Sequence, residues 1–177
     1  MGPPHRHASH LRPTGSRSFV TTDSQHRTAR RVFLDKEDPA LFRALNGLAL
    51  KVKETAEAAG IGAELSELIK VRVSQLNGCA YCLDVHTEEA LAAGVSQRRL
   101  SVLPAWRDTE LFSEQERAGL ALAESATLLP PSEVLDEEHS KARKVLSDAE
   151  FSAVNWIALT IGVFNRISII SRHPVRE

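Results

Sequence analysis

Residues 77–86 read Asn-Gly-Cys-Ala-Tyr-Cys-Leu-Asp-Val-His. The Asn-Gly pair interrupts one helical pattern, and we expect the next helix to begin at about Cys79. On a helix that turns by about 100° per residue, Cys79, Cys82 and His86 share an arc of about 60°. A helical pattern precedes this Cys-x-x-Cys pair, whereas thioredoxin-type folds place theirs in a βαβ setting. The stretch therefore favours an all-α fold that carries two thiols and an imidazole on one helix face.

Apolar residues at helical spacing, together with capping residues, predict further helices on both sides of this stretch. Pro39 suits a first helical position after an Asp38 cap. Ser-x-x-Glu capping boxes open two more helices, at Ser113 and Ser147. The predicted helices cover approximately residues 39–59, 63–75, 79–93, 96–103, 113–128, 136–146 and 149–171. We therefore expect a compact all-α domain of about six to seven helices.

The last predicted helix, 149–171, is apolar on nearly every side. Such a helix is normally buried on most of its surface. A lone domain of 177 residues would leave part of it in water. We therefore expect a homo-oligomer.

Composition restricts the class of protein. The chain has 177 residues, a net charge of −1 and two cysteines. This length suits one domain, and a net charge so close to zero does not indicate a nucleic-acid-binding protein. No long uninterrupted apolar run predicts a membrane span. The two cysteines are too close in sequence for a disulfide that restrains much chain, so a reducing compartment, the cytoplasm, is expected.

Residues 1–31 differ in composition from the remainder of the chain. They contain six Arg and one acidic residue, Asp23, with almost no apolar periodicity. Such a composition buries too little apolar surface to fold by itself. We expect a disordered basic tail over 1–31 and a helical domain over 32–177.

Three other interpretations of the cysteine pair are weaker than redox chemistry. Zinc usually takes four ligands, and no second pair lies at zinc-finger spacing. A c-type haem needs His directly after the second Cys, where this chain has Leu83. Chance burial of two small apolar residues does not explain the His86 on the same face. A nearby base and a helix N-terminus both favour the reactive thiolate.

The motif also resembles that of a known family. Glu67, followed by Cys79-x-x-Cys82-x-x-x-His86, is similar to the core of alkyl hydroperoxidase D (AhpD), in the carboxymuconolactone decarboxylase superfamily. The run 73–82 is also similar. Two C-terminal segments extend the likeness, Asn165-Arg166 and Arg172-His173-Pro174-Val175.

The resemblance implies a role for each motif residue. Cys82 would attack the peroxide and become a sulfenic acid, and Cys79 would resolve it to a disulfide and act as proton donor. Glu67 would accept protons relayed through His86 and a water. No metal, haem or flavin is implied. Periodicity alone places Glu67 on an exposed helix face, and helix-dipole arguments alone favour Cys79 as the thiolate.

We therefore expect a thiol-dependent peroxidase that acts on hydrogen peroxide or organic hydroperoxides. Its partners would be an external thiol or dithiol reductant and further copies of the chain, as a trimer or hexamer, with no nucleic acid or membrane. Two alternatives remain open. One is a decarboxylase of lactone acids, and the other is a redox-sensing or partner-binding protein without enzymatic activity.

Overall fold

A computed structural model describes residues 31–175, and within that range the chain is helical without a strand. A short 3-10 helix, Leu103–Asp108, lies between α5 and α6. The eight α-helices are α1 Leu34–Glu37, α2 Pro39–Ala58, α3 Ala63–Asn77, α4 Ala80–Ala92, α5 Gln97–Val102, α6 Glu114–Leu128, α7 Ser132–Ala142 and α8 Asp148–Ser171. The all-α prediction is confirmed. The predicted tail over 1–31 falls almost wholly outside the described residues.

Helix α3 lies at the centre of the fold and packs against α4, α6 and α8. One hydrophobic core, shared with α2, α6 and α8, contains Leu65, Ile69 and Val73 of α3. A second core, shared with α4, α5 and α6, contains Leu68 and Val71. Because α3 contributes to both cores, polar residues between its two apolar faces are also buried.

Most predicted helix starts are confirmed. Both capping boxes, at Ser113 and Ser147, have their two reciprocal hydrogen bonds. Ser96 accepts a hydrogen bond from the backbone N–H of Arg99 and so caps α5. Asp38 occupies the cap position of α2, but its side chain makes no capping hydrogen bond.

The predicted bounds of α7 were wrong. Helix α7 begins at Ser132, directly after Pro131, instead of at residue 136, and residues 143–146 form turns behind it. Helix α5 ends at Val102, before Pro104, as predicted, and the chain continues as a 3-10 helix because proline fits its first turn. The short helix α1 has no apolar periodicity that could have predicted it.

Helix α8 is long and apolar enough to cross a membrane by length and composition, but about half of its most apolar stretch is buried within the described chain. It packs against α2, α3 and α6 as a core helix. Its other side exposes Trp156, Leu159 and Val163.

Arg72, which lies among the apolar residues of α3, is paired with an acid. Its Nε donates to Glu124 Oε1 at 2.7 Å. Glu124 also accepts from Trp106 Nε1 at 2.9 Å and from the guanidinium of Arg107. This cluster joins α3, α6 and the 3-10 helix through one buried carboxylate.

Candidate functional site

The two cysteines lie where α3 ends and α4 begins. Gly78 closes α3 with φ 68°, a left-handed conformation that glycine adopts without strain. Cys79 is the N-cap of α4, and its Sγ accepts a hydrogen bond from the Cys82 backbone N–H at 3.3 Å. The two residues are joined by a disulfide, with Cα atoms 5.3 Å apart. Both are buried, at 1% and 4% exposure.

His86 lies one turn after Cys82 on α4 and contacts Glu67 of α3. Its Nδ1 is 2.9 Å from Glu67 Oε2 and 3.1 Å from Glu89 Oε2. The other oxygen of Glu67, Oε1, accepts from Lys70 Nζ at 2.6 Å. The helices thus hold one carboxylate between an imidazole and an ammonium group.

Opposing effects set the charge of Glu67. Burial by itself would raise the pKa of this carboxyl. The hydrogen bond from His86 and the charge and hydrogen bond of Lys70 outweigh burial, so the pKa of Glu67 lies below its ordinary value. Glu67 is therefore ionised at neutral pH, and it orients the His86 ring by accepting from Nδ1–H. That orientation leaves Nε2 as the free basic nitrogen.

Helical periodicity had placed Glu67 on an exposed face of its helix, and this was wrong. The residue is 8% exposed. The periodicity argument assumed one apolar face, whereas α3 is covered by α4 on a second side. Lys70 and Glu89 were missed as members of the site. Their spacings, Glu67–Lys70 and His86–Glu89, are each i,i+3, which is the sequence signal that could have identified them.

An open pocket of about 380 Å³ adjoins these residues. His86, Glu89, Lys70 and Tyr81 contribute to its lining, together with Thr160, whose buried hydroxyl has no hydrogen-bond partner within the described residues. Most of the remaining wall is apolar and comes from Phe42, Val52, Val85, Ile157, Ile161 and Phe164. Its volume is within the range of small-molecule sites.

Asn165 also reaches the cysteine region, which sequence reasoning did not foresee. Its Oδ1 accepts from Asn77 Nδ2 at 2.9 Å, and its Nδ2 donates to Ser74 Oγ at 3.0 Å. The neighbouring motif residue Arg166 donates to the Gly162 carbonyl of its own helix at 2.9 Å. Of this pair, Asn165 is the one that contacts the segment leading to Cys79.

Glu67, His86 and Glu89 could by geometry offer three ligand atoms to a cation, since these atoms lie within 4.8 Å of one another. The Lys70 ammonium, however, already contacts Glu67. The positive charge of Lys70 would repel a metal ion at this position. The three residues therefore suit proton transfer better than metal binding.

Comparisons with known proteins agree with this architecture. The model of the carboxymuconolactone decarboxylase family matches residues 39–125. The uncharacterized protein YdfG of Bacillus subtilis is 35% identical over 122 residues, which cover 69% of this chain and 83% of YdfG. A shorter match, 32% identical over 65 residues, covers 37% of this chain and 36% of the uncharacterized Escherichia coli protein YnjA.

Two solved structures share the fold. One is ATU0492 from Agrobacterium tumefaciens, a protein of unknown function suggested to be the antioxidant defence protein AhpD. It matches with a TM-score of 0.72 and 27% identity, over 83% of this chain and 98% of that one. The debrominase Bmp8 matches with a TM-score of 0.68 and 22% identity, over 80% of this chain and 74% of Bmp8. The chain therefore belongs to the carboxymuconolactone decarboxylase family and is AhpD-like.

Proposed function

We propose that this protein is a thiol-dependent peroxidase that reduces organic hydroperoxides, and hydrogen peroxide, through Cys79 and Cys82. One observation carries the proposal. The buried Cys79–Cys82 pair begins the same helix whose next turn presents His86, held by an ionised Glu67, to a pocket with a mixed polar and apolar wall, which neither cysteine lines.

In the first step the Cys82 thiol gives its proton to Nε2 of His86, directly or through a water. The thiolate attacks the terminal oxygen of the hydroperoxide, the O–O bond breaks, and Cys82 becomes a sulfenic acid. The departing alkoxide takes the proton from His86 and leaves as an alcohol. Glu67 stabilises the transient imidazolium, because its carboxylate lies 2.9 Å from Nδ1.

In the second step Cys79 attacks the sulfenic sulfur of Cys82. The S–S bond forms and the S–O bond breaks, and hydroxide leaves with the Cys79 proton as water. The adjacent position of Cys79, three residues before Cys82, favours this step over further oxidation by peroxide. An external dithiol then reduces the disulfide by exchange and is itself oxidised to a disulfide.

The pocket favours organic hydroperoxides over hydrogen peroxide. Hydrogen peroxide has no apolar part that could gain from contact with Phe42, Ile157 or Phe164. An alkyl or aryl hydroperoxide would bury apolar surface there, which stabilises binding by about 25 cal/mol per Å². The unpartnered Thr160 hydroxyl supplies a hydrogen bond to a polar group on such a substrate.

The proposal includes a homo-oligomer, a trimer or hexamer, in a reducing cytoplasm. Its support is an apolar surface, here named the α2–α8 face, formed by Leu41 and Leu48 of α2 and Trp156, Leu159 and Val163 of α8. All five side chains are 41–72% exposed in the single chain. A second copy would remove this surface from water.

A peroxide-consumption assay with dithiothreitol tests the proposal, with tert-butyl hydroperoxide and hydrogen peroxide as substrates. The wild type should turn over both, the organic one with the lower KM, and Cys82→Ser should fall to the rate of the thiol alone. Ser101→Ala, an exposed substitution on α5, serves as the matched control. Wild-type turnover no faster than dithiothreitol alone would contradict the proposal and leave the decarboxylase or sensor alternatives.

A further inference from the structure

Asn165 is a buried polar side chain for which the peroxidase chemistry has no use. It lies on α8 and is 0% exposed. Its amide makes two hydrogen bonds, and both lead to the last turn of α3. One reaches Asn77 at 2.9 Å and the other reaches Ser74 at 3.0 Å. A buried amide whose oxygen and nitrogen are both hydrogen-bonded in this way fixes the relative position of the elements it joins.

The same turn of α3 holds the main chain of Cys79. The Ser74 carbonyl accepts from the Cys79 backbone N–H at 3.1 Å, and Ser74 is itself fully buried. Gly78 then reverses the chain, so Cys79 becomes the N-cap of α4. Asn165 is thus connected to Cys79 through one residue, Ser74, and through the Asn77–Gly78 turn.

We propose that Asn165 is a positioning residue for the dithiol, which holds Cys79 Sγ against the N-terminus of α4 by anchoring Ser74 and Asn77. The inference rests on the proposed dithiol chemistry, but it does not depend on the oxidant being a peroxide. Asn165 has no charge, and its side-chain hydrogen bonds go to Asn77 and Ser74 and to neither sulfur, so it acts through geometry.

The position of Cys79 Sγ has a chemical consequence. The sulfur accepts from the Cys82 N–H at 3.3 Å, at the positive end of the helix dipole. Both features stabilise a thiolate, and a stabilised reduced form raises the reduction potential of a dithiol. A displaced Cys79 therefore lowers the reduction potential of the dithiol–disulfide couple and makes Cys79 a slower nucleophile at neutral pH. In the reaction, that nucleophile is the thiol that attacks the sulfenic acid.

Two variants and one control isolate this role. Asn165→Ala removes both hydrogen bonds, and Asn77→Ala removes one of them. Ser171→Ala is the control, because Ser171 is also fully buried on α8 and accepts from the Leu34 backbone N–H at 3.1 Å, but makes no hydrogen bond to Ser74 or Asn77. Circular dichroism checks that each variant retains the helical fold.

Two measurements report on the dithiol itself. The first is the equilibrium with a glutathione redox buffer, read by mass spectrometry. The second is the rate of Cys79 alkylation by iodoacetamide at neutral pH, in a Cys82→Ser background so that only one thiol reacts. We expect Asn165→Ala to shift the redox equilibrium about tenfold towards the disulfide, or about 30 mV, and to slow alkylation about threefold, because a more basic thiolate is also more nucleophilic. Asn77→Ala should do the same to a smaller extent.

The outcomes separate positioning from general destabilisation. The inference is wrong if folded Asn165→Ala and Asn77→Ala keep the reduction potential and alkylation rate of the wild type. It is also wrong if Ser171→Ala shows an equal shift. If Asn165→Ala does not fold, Asn77→Ala decides by the same criteria. If the wild type shows no peroxide turnover but the variants still show these shifts, the proposed function is contradicted and the role of Asn165 stands.

Discussion

His86 Nδ1 and Glu67 Oε2 lie 2.9 Å apart, across the interface between α3 and α4. The pKa of Glu67 is below its ordinary value, because the hydrogen bond from His86 and the interaction with Lys70 outweigh burial. We therefore expect the carboxylate to act mainly by orienting the ring and stabilising its charged form, as in carboxylate–histidine pairs of other enzymes. In the proposed reaction, His86 is the group that takes the thiol proton.

Glu67→Gln should slow peroxide reduction while leaving the fold intact. Glutamine keeps the shape of the side chain but removes the charge that stabilises imidazolium, and loss of such assistance typically costs about 100- to 10,000-fold in rate. Steady-state peroxide consumption with circular dichroism of the variant measures this. Glu64→Gln, at an exposed position of the same helix, is the control and should keep the wild-type rate. An unchanged rate in Glu67→Gln would make Glu67 a structural residue only.

Acid should destabilise the protein through Glu124. Burial alone would raise the pKa of this carboxyl, but hydrogen bonds from Trp106, Arg107 and Arg72 outweigh burial and hold it below the ordinary value of 4.5. A carboxyl with a depressed pKa contributes stability above its unfolded pKa, and this contribution is lost as the pH falls through the folded value. Glu124→Gln should lose about 3 kcal/mol at pH 7. Urea unfolding should show this difference shrinking as the pH falls below the ordinary carboxyl pKa of 4.5, and a pH-independent difference would contradict the assignment.

The fold was largely predictable because its signals are local. Capping boxes at Ser113 and Ser147, and apolar periodicity, depend on residues within one or two helical turns. The start of α7 was missed because Pro131 can either end a segment or precede a new helix. The short α1 is fixed by distant contacts, since the Leu34 backbone N–H donates to Ser171 Oγ at 3.1 Å.

The site was predictable only where its residues share one helix. Cys79, Cys82 and His86 follow from spacing on α4, but the burial of Glu67 depends on packing between α3 and α4. Only the family resemblance indicated that packing. The hydrogen bond between Asn165 and Asn77 spans 88 residues of sequence, a separation at which periodicity carries no information.

The α2–α8 face should hold copies of the chain together. Light scattering at micromolar concentration should give a mass of three or six times the 19.5 kDa of one chain. Leu159→Glu places a charge on that face and should shift the mass towards the single chain. Leu128→Glu, at an exposed apolar position on α6, is the control and should not. A wild-type mass of one chain would contradict the proposed oligomer.

Removal of residues 1–30 should change little. Their composition offers no apolar face to the helical domain. The deletion retains Arg31, whose guanidinium donates to the Ile170 carbonyl at 3.3 Å. Thermal unfolding and peroxide turnover should both match the full chain. A fall of several degrees in Tm or a lost rate would mean that the tail contributes to the domain.

Trapping the sulfenic acid tests which of the two thiols attacks the peroxide. Cys79 occupies the N-cap of α4, which favours its thiolate, whereas Cys82 has His86 one turn away as a base held by Glu67. We expect the base to decide which sulfur attacks the peroxide, because it both removes the thiol proton and returns it to the alkoxide. In Cys79→Ser the sulfenic acid on Cys82 then lacks a neighbouring thiol, so it should persist or advance to the sulfinic acid.

Intact-protein mass spectrometry after one equivalent of peroxide should show one or two added oxygens in Cys79→Ser and no change in Cys82→Ser, while the reduced wild type loses two hydrogens. The reverse pattern, with oxygen added only in Cys82→Ser, would assign the attack to Cys79 and show that the helix N-terminus outweighs the His86–Glu67 pair.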